Sequence, residues 1–209
     1  MKSMLKTAWA VVLLSAGLSL AAPKPAIVQG PLLWTAEATF EHLQQIVYQP
    51  TEQSKPRRFW YLILTVNNNT GRDVAFYPQC DLMTDSFEIL PAGKRVPQEV
   101  FEIVATLYRD KYPFLESLST TDNRILQGED NARDIALIWS DFDSAAKNIK
   151  LFITGLSNET AVVNAPGAGD TSQKVYLRKT LELSYHLKGD AAWRSNSDIA
   201  YQGHQWVMR

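Results

Sequence analysis

The chain has 209 residues, a single cysteine and a nearly balanced charge, with 21 lysines and arginines against 22 aspartates and glutamates. That length can build one domain with a sizeable core, and a lone cysteine excludes an internal disulfide. No basic block is present, so the electrostatic footprint of a nucleic-acid or anionic-membrane binder is missing.

The N-terminus reads as an export signal. Lys2 and Lys6 make a positive start without acids, and an apolar run over 8–20 is interrupted only by Ser15, Gly17 and Ser19. Ser19-Leu20-Ala21 then places small residues at the two positions a signal peptidase inspects. The expected organisation is a signal peptide over 1–21, an irregular leader over 22–33 with Pro23 and Pro25, and one domain over 34–209. The apolar run is shorter than the ~20 residues that span a bilayer comfortably. No later segment is apolar for long enough, so no transmembrane segment is expected after cleavage. The mature protein is expected in the periplasm or outside the cell.

Residues 34–48 admit a helical face through Leu33, Ala36, Phe40, Leu43 and Val47, but the β-branched and aromatic ending Ile46-Val47-Tyr48 favours a first long strand. A polar connection over 49–56 follows. The run Phe59-Trp60-Tyr61-Leu62-Ile63-Leu64-Thr65-Val66 is apolar on both faces, which predicts a strand through the centre of a packed sheet. Asn67-Asn68-Asn69-Thr70-Gly71 predicts a turn, 73–77 a returning strand, and 82–90 another extended segment. Val100, Ile103, Val104 and Leu107 change to helical spacing after Pro97, predicting a helix near 97–109.

The second half returns to strands at 134–139 and 149–153, with a glycine- and proline-bearing loop over 164–171. Residues 175–187 then alternate strictly: Val175, Leu177, Leu181, Leu183, Tyr185 and Leu187 share one parity, and only Lys179 breaks it. That is the pattern of a half-buried antiparallel strand. Residues 201–209 predict a short last strand with Trp206 and Met208 on one face. Without regular strand–helix alternation, the expected fold is mainly β: an immunoglobulin-like antiparallel β-sandwich with one inserted α-helix.

Several segments together resemble a family of secreted proteins from planctomycete-type bacteria that carry an immunoglobulin-like domain. They are the 59–71 strand and turn, Tyr77-Pro78-Gln79-Cys80-Asp81-Leu82-Met83-Thr84-Asp85, Leu126-Gln127-Gly128-Glu129-Asp130-Asn131, residues 152–160, and the closing Trp206-Val207-Met208-Arg209. The resemblance implies a sandwich-like fold and an exported setting. It carries no activity onto these positions.

Chemistry-bearing motifs are sparse. Cys80 lacks a local base among His42, His186 and His204, so a packed structural thiol is the expected role. Glu129, Asp130 and Asp134 are weak candidates for a metal site, with calcium as the alternative to no cofactor; Asp141 and Asp143 form a second acidic pair on either a strand face or a turn. Asn67, Asn68, Asn69, Arg72, Asp73 and Tyr77 are the expected interaction loop. No nucleophile elbow, phosphate loop, dinucleotide fingerprint or zinc-protease motif occurs, and no catalytic residue is assigned. The expected function is a non-catalytic exported binding or structural domain, partnered by another extracytoplasmic protein or a cell-envelope component. The alternative is an extracytoplasmic enzyme whose polar or metal site assembles only in space.

Overall fold

The computed structural model describes residues 25–28, 30, 32–166 and 172–209; the expected signal peptide, its cleavage point and the 167–171 part of the expected loop lie outside the described residues. In chain order the strands are β1 (Ala26–Ile27), β2 (Glu37–Phe40), β3 (Gln44–Tyr48), β4 (Arg57–Asn67), β5 (Val74–Ala75), β6 (Gln79–Thr84) and β7 (Ile89–Pro91). The helix α1 (Gln98–Leu107) intervenes. Then come β8 (Glu116–Ser117), β9 (Arg124–Ile125), β10 (Arg133–Ser140), β11 (Asn148–Thr154), β12 (Thr160–Pro166), β13 (Ser172–Leu187) and β14 (Ile199–Met208). The protein is mainly β, with antiparallel sheets packed as a sandwich and one α-helix.

The first sheet runs β2-β4-β10-β8, with β3 also on β4. Its ladders are antiparallel except for the short β8, which runs parallel to β10. The second sheet runs β1-β12-β13-β11-β6-β7, with β14 also on β13. A small ribbon pairs β5 with β9.

Alternation along β4 explains why both of its faces are apolar. Trp60, Leu62, Leu64 and Val66 join Ile135, Leu137 and Trp139 of β10 against the second sheet. The other parity, Phe59 and Tyr61 with Ala136 and Ile138, lies under Val100 and Val104 of α1. The molecule therefore has three layers, helix on sheet on sheet. The helical period at 97–109 matches α1, whose buried Val100 and Val104 are one turn apart.

The opposing sheet contributes Cys80 and Leu82 of β6, Ile149, Leu151 and Ile153 of β11, and Leu181, Leu183, Tyr185 and Leu187 of β13. β13 is long enough to take neighbours in series. β12 pairs with its first half, β11 with its second. The Lys179 N–H donates to the Glu159 carbonyl at 3.0 Å on that side, while the adjacent Arg178 N–H donates to Arg209 at 2.7 Å on the β14 side. The β13–β14 ladder slips between Ser184 and Tyr185, where Gln202 is left over and Gly203 sits at φ +138°.

The structure corrects several expectations. Residues 34–48 form two strands rather than one, because the chain breaks at 41–43. There Leu43 is buried and its N–H donates to the Tyr185 hydroxyl at 3.3 Å. Residues 82–90 hold a hairpin: the Thr84 hydroxyl accepts the Glu88 N–H at 3.0 Å and Phe87 adopts φ +64°, folding β6 back onto β7. Only two residues of 73–77 are strand. β12 reaches Pro166, into the expected loop, and the leader supplies β1. The last strand is ten residues long rather than short. On β13 the odd residues from Leu181 to Leu187 face the core as expected. The even face is not simply wet, since Thr180 and Glu182 are buried. Trp206 and Met208, two residues apart on β14, share a face as expected.

Candidate functional site

The candidate site is a recess where the 32–36 segment meets the 155–159 connection between β11 and β12. Backbone and side chains zip the two segments together. Trp34 N–H donates to Asn158 Oδ1 at 2.7 Å, and Asn158 N–H returns a bond to the Trp34 carbonyl at 3.2 Å. The Ser157 hydroxyl donates to the same carbonyl at 2.8 Å. The Leu32 carbonyl accepts from both Asn158 Nδ2 at 3.0 Å and Arg72 Nη2 at 2.8 Å. Gly155 lets Tyr77 come close. Its φ is +88°, and a Cβ there would stand 2.5 Å from the Tyr77 carbonyl oxygen, so no other residue fits without moving backbone.

These contacts frame an open recess of about 430 Å³, lined among others by Trp34, Tyr77, Asn158, Glu159 and Arg178. Behind it lies a charged brace. Lys179 Nζ donates to Glu159 Oε1 at 2.5 Å and to the Thr35 hydroxyl at 3.1 Å, and sits 5.2 Å from the Trp206 ring centre. The hydrogen bond from Lys179, against the opposing effect of burial and with help from Thr35, holds the Glu159 carboxyl below the usual carboxylate range. The lysine that broke the alternation of β13 is thus used by its partner carboxylate. The recess is open at its edge: Tyr77 in the lining is 63% exposed, Leu32, whose carbonyl ties its wall, 60%, and Tyr176, on the same face of β13 as Arg178, 67%.

Of the expected interaction loop, Tyr77 alone lines this recess; Arg72 anchors its wall. The others are structural. Asn68 is fully buried; its Nδ2 donates to the carbonyls of Arg72 at 2.8 Å and Ile125 at 3.0 Å, and its Oδ1 accepts from the Thr70 N–H and hydroxyl at 3.1 and 2.7 Å. Asn69 Nδ2 donates to Glu37 at 3.1 Å. Asp73 accepts from the Gln127 N–H at 2.9 Å and from Arg124 at 2.5 Å. Asn67 keeps its Oδ1 buried and without a partner. Trp34, Tyr176 and Arg178 had no local signal in the sequence, because they meet only through the serial arrangement of β11 and β12 along β13.

The acidic candidates do not converge. Glu129 and Asp130 are exposed on a single 3-10 turn, whereas Asp134 lies on β10 and accepts the Thr65 hydroxyl at 2.6 Å. Among the described residues no three His, Cys, Asp or Glu side chains stand close enough to share a metal ion. Asp141 and Asp143 belong to a turn after β10. Asp141 Oδ1 accepts the Trp60 indole N–H at 2.8 Å, and Asp143 Oδ1 accepts the Ala145 N–H at 2.9 Å. Cys80 is buried in the sandwich, and burial, then the nearby Asp81 charge, pushes its thiol well above the ordinary range. It is therefore a neutral core side chain rather than a thiolate. His42 and His204 gather with Phe40 and Tyr201 at the β2–β3 break. The His42 and Tyr201 rings are 4.7 Å apart, and the Tyr201 hydroxyl lies 2.6 Å from His204 Nδ1. His186 pairs separately with Asn148 at 3.0 Å.

Among the described residues no helix is long and apolar enough to cross a membrane. Comparison with protein-family models, with curated proteins and with solved structures finds no match to this chain.

Proposed function

We propose that this chain is a non-catalytic binding domain, exported to the periplasm or beyond, that engages another extracytoplasmic protein through the Trp34–Tyr77–Arg178 recess and its apolar rim. The observation that carries this reading is the pair of exposed tyrosines at the recess: Tyr77 in its lining and Tyr176, which shares a face of β13 with the lining residue Arg178, are each more than half exposed. Contiguous apolar surface framed by polar groups marks protein contact sites. The recess offers aromatic and guanidinium groups, the residue types enriched at interface centres. Its one carboxylate, Glu159, is already committed to Lys179 and Thr35, which suits a rigid wall better than proton transfer.

Two further parts of the proposal rest on the sequence. The basic, apolar and small-residue succession over 1–21 supports export, and N-terminal sequencing of the secreted product should begin at Ala22. The resemblance to secreted planctomycete-type proteins supports an immunoglobulin-like lineage for the sandwich, and the two face-to-face sheets are compatible with it.

A photo-crosslinking amino acid at Tyr77 or Tyr176 tests the binding reading. The control is the same group at Phe114, which is 85% exposed beside the helix layer. A protein captured from envelope extract at the recess positions, and absent at Phe114, supports the proposal. Equal capture at all three positions, or none, refutes it.

A further inference from the structure

One charge in the lining of the recess has no counterpart. Arg178 is exposed on β13 and lines the recess. Among the described residues it forms no ion pair with a carboxylate. The acids of the strands around it are engaged elsewhere. Glu159 accepts from Lys179 and Thr35, Asp81 stands 3.6 Å from Arg209, and Glu182 is held by Lys150 at 2.8 Å. The recess and its bracing therefore hold three cations, Arg72, Arg178 and Lys179, against the single carboxylate of Glu159. The chain as a whole leans the other way, with 22 acids to 21 bases. The positive excess is local to this place.

The setting of Arg178 suits a carboxylate. Thr160 of β12 is its register partner and also lines the recess. Residues opposite each other in an antiparallel pair project to the same face, with Cβ atoms about 4.5–5.5 Å apart. The arginine's fork of N–H donors thus has a hydroxyl beside it, and that fork matches the two oxygens of a carboxylate. Trp34 and Tyr77 add aromatic surface to the same lining. The volume of about 430 Å³ lies within the roughly 300–1,000 Å³ of pockets that enclose small ligands. That is room for the side chains of a short segment rather than for a folded face.

We infer, resting on the binding role proposed above, that the recess takes an acidic segment of the partner protein. An aspartate or glutamate of that segment pairs with Arg178 and the Thr160 hydroxyl, and a neighbouring aromatic or aliphatic side chain lies against Trp34 and Tyr77. Charge complementarity of this kind fixes register and speeds encounter. Salt weakens it, because Arg178 is in contact with water.

A library of random peptides displayed on phage, panned on the full mature protein, supplies the probe. The expected result is enrichment of Asp or Glu beside an aromatic or aliphatic residue. A synthetic copy of the most enriched peptide should lose about tenfold in affinity on Arg178→Gln. The Tm of that variant should match the parent's, since the position is exposed. Arg178→Lys should fall between the two, because an ammonium keeps the charge but not the paired donors. Exchanging the charges, Arg178→Glu against the peptide with lysine in place of its acid, should restore binding. Enriched peptides without an acid, or an affinity unchanged in Arg178→Gln, overturn the inference. Tyr77→Ala separates that failure from failure of the binding role itself. Affinity lost in Tyr77→Ala but kept in Arg178→Gln leaves the recess a binding site and removes its acidic partner. Affinity kept in both variants, or no peptide enriched, removes the binding role and this inference with it.

Discussion

The two halves of β13 have the same alternating sequence and opposite surroundings. From Thr180 to Leu187 the strand lies between β11 and β14, and its odd side chains pack against the first sheet. From Ser172 to Lys179 it pairs with β12, which carries the two-residue β1 on its far side; there the odd residues Val175 and Leu177 are only partly buried, and Tyr176 on the even face is 67% exposed. One half is scaffold; the other is an arm that borders the recess. Period-two alternation reports that a strand has two unlike faces. It does not report whether an opposing sheet extends far enough to cover the apolar one.

Substitutions along this strand separate the two halves. The largest effect is expected at Leu183, fully buried in the sandwich. Leu183→Ala should cost about 2–5 kcal/mol in chemical denaturation; a loss no larger than that of an arm substitution would erase the distinction.

Glu182 comes next. It is 6% exposed and its carboxylate accepts from Lys150 Nζ at 2.8 Å and Gln205 Nε2 at 3.1 Å. Burial alone would raise its pKa, but the hydrogen bonds from Lys150 and Gln205 together outweigh it and leave the pKa below its ordinary value of 4.5. A depressed folded pKa means stability that is present above the unfolded value and lost as pH falls through the folded one. Glu182→Gln should therefore cost about 1–3 kcal/mol at neutral pH. The gap between variant and parent should close as pH drops below about 4.5. A gap that persists unchanged in acid would show that the charge is not what matters.

Thr180 should matter less. Its hydroxyl donates to the Arg178 carbonyl at 3.0 Å and the residue is fully buried, so Thr180→Ala should cost about 1 kcal/mol, more than an exposed threonine would. The smallest stability effect is expected on the arm. Tyr176→Ala should stay within about 0.5 kcal/mol of the parent while reducing capture of a partner at the recess. A large destabilisation instead would make the arm part of the core.

Much of the fold was legible because burial leaves a local trace. The doubly apolar 59–66 run announced a strand covered on both sides, and Val100 and Val104 announced the helix that covers one of them. The breaks were not legible. Leu43 looks like one more apolar residue of a strand, and its role as a plug under Tyr185 depends on residues over a hundred positions away. The same holds for the site. Tyr77 stands out from its neighbours in the loop, whereas Trp34 and Arg178 come together only through the tie of Trp34 to Asn158 and the pairing of β12 with β13. Lys179 is legible as the one break in the apolar row of β13, but nothing local in the sequence points to Glu159, which meets it from the connection before β12.

The irregularity in β14 has a consequence for molecules in company. Among the described residues β14 pairs only with β13, so its other edge presents a row of backbone donors and acceptors. A flat edge of ten residues invites a strand from a neighbouring molecule and growth of a shared sheet. The surplus Gln202, with Gly203 at φ +138°, divides the edge into 199–201 and 203–208. A bulge bends its strand and sharpens its twist, so an incoming strand in register with one stretch falls out of register with the other. Two residues near the C-terminus thus resist edge-to-edge aggregation without adding a charge or a proline.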